Sequence, residues 1–416
     1  MSVRVTTHFS ALAVALLTIG SVSTTHSAEL LTLAAAVDRT LRSNPELAVL
    51  PARKLEQSAR IEMAGLRPQL TLDAQIENAL GSGNYRALDG AETSLSLSQV
   101  IELGDQRRKR LAAARAGMDA LELAQTVAQL DAVAETTRRF IELASEEQQR
   151  TLATQWLEAS QRKTSEVERR VKAARDPEVE LVRAQIDLSR AELGVRIAED
   201  RVRIAQRKLA AMWGAMEPDF ERIQADLFDL PNIESLPQRT EQIANSADFL
   251  LFATEIRQRE AEVEVARAQA RANITISAGV RRLEATGDQA LVAGFSMPLS
   301  SARYGKPRIT EAQARRDGLA RERDAALIRA RASLFELAAR LRHAVEESQR
   351  LRDDLLPRME TAVKATEYAW QRGRYGYIEL TEAQREQLAL RLALITAATN
   401  AHLYRVEIER LTGDSP

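Results

Sequence analysis

Two stretches decide the fold: Leu70-Thr71-Leu72-Asp73-Ala74-Gln75-Ile76-Glu77 and Ile274-Thr275-Ile276-Ser277-Ala278-Gly279-Val280-Arg281. In both, apolar residues alternate strictly with polar or small ones. A period of two places one kind of side chain on each face of a β-strand. Each stretch is followed by a polar, glycine-containing loop, about Asn78–Glu92 and Arg282–Gln289, and then by a second alternating run. Those second runs hold Leu95 and Leu97 in the first case, and Leu291, Ala293, Phe295 and Met297 in the second. Each pair therefore reads as a β-hairpin with one oily and one wet face.

Outward from the hairpins the chain repeats itself. Glu180-Leu181-Val182-Arg183-Ala184-Gln185 recurs as Glu379-Leu380-Thr381-Glu382-Ala383-Gln384, and the helices that follow end at Gly214 and Gly413. The same order is expected in each half: a helical stretch, a hairpin, a very long helix, a turn and a returning helix. This divides the chain into a leader at 1–28, a first repeat at 29–214, a connector at 215–237 and a second repeat at 238–416. The β-hairpins fall near 69–100 and 272–298, and the helical hairpins span 104–213 and 305–413. The leader has Arg4 before the apolar run Ala11–Leu17 and small residues up to Ala28, the pattern of a secretory signal peptide.

Composition agrees with long helices. Charged residues make up 28% and aromatics only 4%, and 58 Lys+Arg balance 59 Asp+Glu. A net charge of −1 gives no reason to expect nucleic acid. Zero cysteine removes disulfides, thiolate metal sites and a cysteine nucleophile. Of four histidines, His8 and His26 fall in the leader, so an enzyme is the least favoured class and no cofactor is implied. His343 with Glu346 and Glu347 is one constellation of potential metal ligands on a single helix; without a partner cluster it reads as a solvated face. Arg107, Arg108, Lys109 and Arg110 read as helix-surface pairing with Glu102 and Asp105 rather than as a lipid-charge sensor.

Four strands cannot close a barrel, and an open strand edge cannot sit in lipid. Three copies would supply about twelve strands, an even number within the range of outer-membrane barrels. Two hairpins packed on their own helices would be the bland alternative. From Gly104 to Arg175 the sole interior glycine is Gly117 and no proline intervenes. An unbroken helix there would span roughly 100 Å. In the second half Pro357 is expected to bend the corresponding helix, which runs from about Pro307 to Gln371.

At this point specific residues resemble a known family. Ser98-Gln99-Val100-Ile101-Glu102-Leu103-Gly104 followed by Arg107, Arg108 and Arg110 resembles the strand-to-helix junction of TolC-like outer-membrane factors, in particular the CzcC branch associated with heavy-metal efflux. Leu355-Leu356-Pro357 and Gly373-Arg374-Tyr375-Gly376-Tyr377-Ile378-Glu379-Leu380-Thr381-Glu382-Ala383-Gln384 resemble that branch's second periplasmic tip, and Phe295-Ser296-Met297-Pro298-Leu299 its second strand exit. The resemblance implies a mainly α protomer with a small β part. In the outer membrane it would form a homotrimer with a twelve-stranded barrel in lipid and an α-barrel in the periplasm. It also implies docking by the helix tips onto a periplasmic adaptor, and through it onto an RND-type inner-membrane transporter, with divalent metal cations as the exported class. Drug efflux or type I protein secretion uses the same duct; a secreted, pore-free coiled-coil protein is the alternative of another class.

The same resemblance points to site residues. The docking tips are Arg175, Asp176, Pro177 and Glu178, and Gly373, Arg374, Tyr375, Gly376 and Tyr377. Glu379 and Glu382, three apart and hence on one helix face, correspond to an acidic ring narrowing the periplasmic entrance. A solvated face pairing with Arg374 or Arg385 is the bland reading of the same two carboxylates. At the first tip, which lacks a glycine, Asp176 is expected to cap a helix beginning at Pro177.

Overall fold

A computed structural model describes residues 30–232, 239–299 and 301–413; the leader and Pro237 of the connector lie outside them. In chain order the elements are α1 (Leu33–Ser43), α2 (Leu50–Gly65), β1 (Leu70–Glu77), β2 (Glu92–Ile101), α3 (Gln106–Lys172), α4 (Glu178–Ala210), α5 (Arg239–Gln242), α6 (Ala247–Gln269), β3 (Ile274–Leu283), β4 (Gln289–Ser296), α7 (Ser301–Arg350), α8 (Leu356–Gln371) and α9 (Tyr377–Thr412).

The two hairpins join into one antiparallel sheet in the order β1-β2-β3-β4. Leu72 stands opposite Leu97, which faces Ala278, which faces Ala293; one row on, Ala74, Leu95, Val280 and Leu291 align. That face is apolar and uncovered: Leu72 is 64% exposed, Leu291 90% and Phe295 67%. Among the described residues no helix packs beneath it, which removes the bland alternative of a sheet folded onto its own helices. On the opposite face Ser98 donates to Asp73 (2.8 Å), and Arg281 reaches Glu92 (2.8 Å), Glu77 (3.2 Å) and the Ser94 hydroxyl (2.9 Å). Gly279 lies on this wet face, where a Cβ would collide with the backbone and Cβ of β2.

α3 runs unbroken for 67 residues, roughly 100 Å at the α-helical rise. Near the sheet it is flanked by α2 on one side and α6 on the other, with α7 beyond α6. Towards the tips the row becomes α4, α3, α9 and α7–α8. Every layer therefore has the same two open edges, a first-repeat element (β1, α2, α4) on one side and a second-repeat element (β4, α7–α8) on the other. Between the two helical levels Phe140, Leu143, Leu209, Phe220, Leu227 and Val406 form the main core. A second cluster brings Leu334 and Leu341 of α7 against Ala401 and Ile408 of α9.

The second long helix ends at Gln371 as expected but differs in its start and in where it breaks. α7 starts at Ser301 and carries Pro307 in its second turn, where the ring removes the bond that an amide there would give to the Arg303 carbonyl. The break precedes Pro357: Leu351–Leu355 form a π-turn, and Pro357 then sits in the first turn of α8. The wider turn absorbs the lost amide that a proline imposes on the turn before it. No helix among the described residues is long and apolar enough to cross a membrane.

Candidate functional site

The site is the tip end, where the turns after α3 and α8 come together. The two turns are built alike. Ala174 takes a left-handed conformation (φ 54°) after the last turn of α3, and Gly373 does the same (φ 71°) after α8. Alanine there carries strain that glycine does not, so the first turn needs outside support. Arg170 supplies it. Its guanidinium grips Asp176 through two bonds of 2.6 and 2.8 Å and donates to the Gln371 carbonyl of the second tip at 3.2 Å. It also lies 4.8 Å from the ring of Trp370. Arg170 and Trp370 are both buried.

This corrects the expected role of Asp176. The residue capping α4 is Pro177, in extended conformation, with the helix starting at Glu178; the Asp176 carboxylate is committed to Arg170 instead. Bidentate pairing with a buried guanidinium outcompetes a lone backbone amide for that carboxylate.

A second linkage lies below the first. Tyr377 is 2% exposed, and its hydroxyl donates to Asp187 of α4 at 3.2 Å; the other Asp187 oxygen accepts from Arg385 of α9 at 2.7 Å. Lys163 of α3 points its ammonium at two rings, 5.4 Å from Trp156 and 5.6 Å from Tyr377. Burial pulls the Lys163 amine down to about 8, with the nearby Asp187 acting in the opposite sense. Burial likewise pushes the Tyr377 phenol up to about 12. Val167, Ala184 and Leu380 close the cluster.

The tip residues named from the sequence divide by exposure. Arg175, Pro177, Glu178, Gly373, Arg374, Tyr375 and Gly376 are exposed and Asp176 is half-buried, whereas Tyr377 is inside. Glu379 and Glu382 also part company. The Glu379 carboxylate accepts from the Gly376 amide at 3.0 Å and so caps its own helix. Glu382 lies in a groove of about 320 Å³ with Arg183, Arg190, Arg385 and Ile186. Neither carboxylate pairs with Arg374, and Arg385 is taken by Asp187.

Other candidates resolve as surface or structure. Arg108 pairs with Asp105, Arg110 with Glu102 and Lys109 with Glu264. His343, Glu346 and Glu347 are exposed, and no group of three metal-ligating side chains occurs among the described residues. The His402 ring bonds the Leu227 carbonyl at 3.0 Å, and burial lowers its basicity.

Lys163, Arg170 and Asp187 were not singled out from the sequence, and Arg385 was named there only as a partner for Glu379 or Glu382. A signal was present. Ser160, Lys163, Val167 and Arg170 follow seam spacing on α3, as Ala184, Asp187 and Ala191 do on α4. Charged residues in the phase of a buried stripe mark paired positions.

An uncovered apolar sheet face, two open edges and paired helical hairpins meeting at a buried tip describe a wall segment of a tube. The profile of the outer membrane efflux protein family matches residues 36–215. By sequence and by fold the chain is similar to outer membrane efflux proteins. Among curated relatives, the cobalt-zinc-cadmium resistance protein CzcC of Cupriavidus metallidurans is 24% identical over 92% of this chain and 90% of its own. The nickel and cobalt resistance protein CnrC of the same organism is 29% identical over 67% of this chain and 69% of its own. Among solved structures, the outer membrane protein VceC of Vibrio cholerae superposes with a TM-score of 0.74 at 17% identity, covering 92% of this chain and 96% of that one. The fold is that of TolC-like outer-membrane channels.

Proposed function

We propose that this chain forms, as a homotrimer, the exit duct of a tripartite efflux system for divalent heavy-metal cations. The apolar face of the four-stranded sheet carries the reading: it needs lipid outside and a partner strand at each edge, and three copies supply both. The metal class is supported by the similarity to two metal-resistance proteins along most of the chain. The exposed tips, Arg175–Glu178 and Gly373–Gly376, offer helix ends to a periplasmic adaptor, and the energy source lies in an RND-type transporter beyond it. The signal peptide delivers the chain to the periplasm, where the helical tube stands.

At the entrance Glu382, and Glu379 beside it, would present carboxylates to the axis in each copy, favouring cations over anions. The groove geometry supports Glu382 more than Glu379, whose carboxylate is already held by the Gly376 amide.

A deletion strain tests the function. It should lose tolerance to one or more of zinc, cobalt, nickel, cadmium, copper and silver, with raised cell metal restored to normal by the intact gene. Sensitivity to hydrophobic drugs with unchanged metal content would move the same duct to drug export.

A further inference from the structure

We propose that the seam closing the tube is keyed at mid-height, with Ile328 and Phe335 of one copy seated in a groove on the open edge of the next. The inference rests on the trimeric reading above and adds which residues make the closure.

The knobs come first. Ile328 is 71% exposed and Phe335 80%; Tyr304 near the start of α7, also exposed, stands about six turns away from them. Ile328, Arg331 and Phe335 follow spacings of three and four, so they share one face of α7. That face is turned away from Leu334 and Leu341, which are buried against α9. Since α7 is the outermost helix of its protomer at both levels, its free face is the second-repeat edge.

The groove lies on the other edge. Where α2 ends its row and α4 begins its own, a cavity of about 650 Å³ opens beside α3. Leu47, Ala128 and Met212 supply its apolar lining, between charged walls that include Glu46, Glu135 and Lys208. A phenylalanine and an isoleucine side chain fit a space of that size.

Height matches as well. On α9, Arg410 reaches Asp131 (2.5 Å) and Glu407 accepts from Arg138 (2.6 Å), both on the groove segment of α3. The same stretch of α9 places Ala401 and Ile408 against Leu334 and Leu341. The groove and the two knobs therefore stand level on opposite edges of one protomer. Rotation about the tube axis brings one onto the other without axial slip, as a closed ring requires.

Charge agrees. Among the described residues, Arg331 between the knobs and Glu46 beside the groove make no ion pair within their own protomer. Seating the knobs would bring the two together.

The chain has no cysteine, so engineered pairs can be read without background. In the full chain in detergent, the double variants Phe335→Cys with Ala128→Cys and Phe335→Cys with Met212→Cys should form covalent dimers and trimers on oxidation or with a short bis-maleimide. Each single variant should stay monomeric on a denaturing gel, because in a head-to-tail ring a residue on the wall of the tube, away from the axis, does not meet its own copy. A double variant that elutes at trimer size yet never cross-links would overturn the keyed seam and leave the trimer intact. Self-linking of Phe335→Cys would also overturn it, in favour of a two-fold contact. A chain that elutes only as a monomer would remove the trimeric reading itself.

Discussion

The hydroxyl of Tyr377, first residue of the last helix, donates to Asp187 in the returning helix of the first hairpin at 3.2 Å, so one buried carboxylate ties the two repeats together at the tip. Arg385 holds the same carboxylate from the next turns of α9. Tyr377→Phe removes one neutral-donor bond and should cost about 1 kcal/mol. Asp187→Ala strips both partners and leaves the Arg385 guanidinium without its counter-charge, a loss of roughly 2–4 kcal/mol. Hydrogen exchange should quicken at both tips in the second variant and only slightly in the first. Equal protection in wild type and Asp187→Ala would show that the linkage holds nothing.

Lys163 makes tip stability depend on pH. Its amine sits at about 8 in the folded protein and 10.5 is its ordinary value, so between these the unfolded chain binds more protons than the folded one. Stability therefore rises as pH climbs from about 8 towards 10.5 and is lowest below that window. The burial of the charge corresponds to about 3 kcal/mol at most. Lys163→Met should raise the melting temperature at pH 7 and flatten the rise between pH 8 and 10; an unaltered pH profile would count against the assignment.

Glu379 and Glu382 should separate in experiment. Glu379→Ala loses a helix cap, worth about 1 kcal/mol, whereas Glu382→Gln should leave melting unchanged. In planar bilayers, the double variant Glu379→Gln with Glu382→Gln should weaken block by divalent cations added from the tip side. Unchanged block would remove the entrance ring from the mechanism.

The two faces of the sheet should respond oppositely to charge. Leu97→Arg places a guanidinium on the apolar face and should cost roughly 2–4 kcal/mol in a bilayer, lowering the yield of heat-resistant oligomer. Ser96→Arg, one residue along and on the opposite face, should assemble and alter ion selectivity instead. If Leu97→Arg assembled as well as wild type, that face would not meet lipid.

Much of this was legible from side-chain order alone. Strict alternation at Leu70–Glu77 and Ile274–Arg281 fixes which residues share a face, because strand geometry allows no other arrangement. The absence of proline and glycine over most of Gly104–Arg175 commits the chain to one long helix, and the recurrence of Glu180–Gln185 at Glu379–Gln384 sets the duplication. Residues whose role follows from local backbone geometry were accessible in this way: the strand faces, the pairing of Arg108 and Arg110, and the turn at Gly373.

What only the tertiary structure decided concerns residues brought together from distant positions. Asp176 had a local partner open to it as a helix cap, but the fold delivers Arg170, and a bidentate buried pair outweighs a single amide. The resemblance puts Tyr377 among the docking residues; packing of the two hairpins turns it inward onto Asp187. Glu379 and Glu382 are equivalent in a helical wheel, and only the position of Gly376 makes one a cap and leaves the other in the groove. Sequence period specifies the face of each element, since the backbone repeats every residue in the same way. Which charged groups meet across those faces depends on the offset between helices, and that offset is set by the whole packed row.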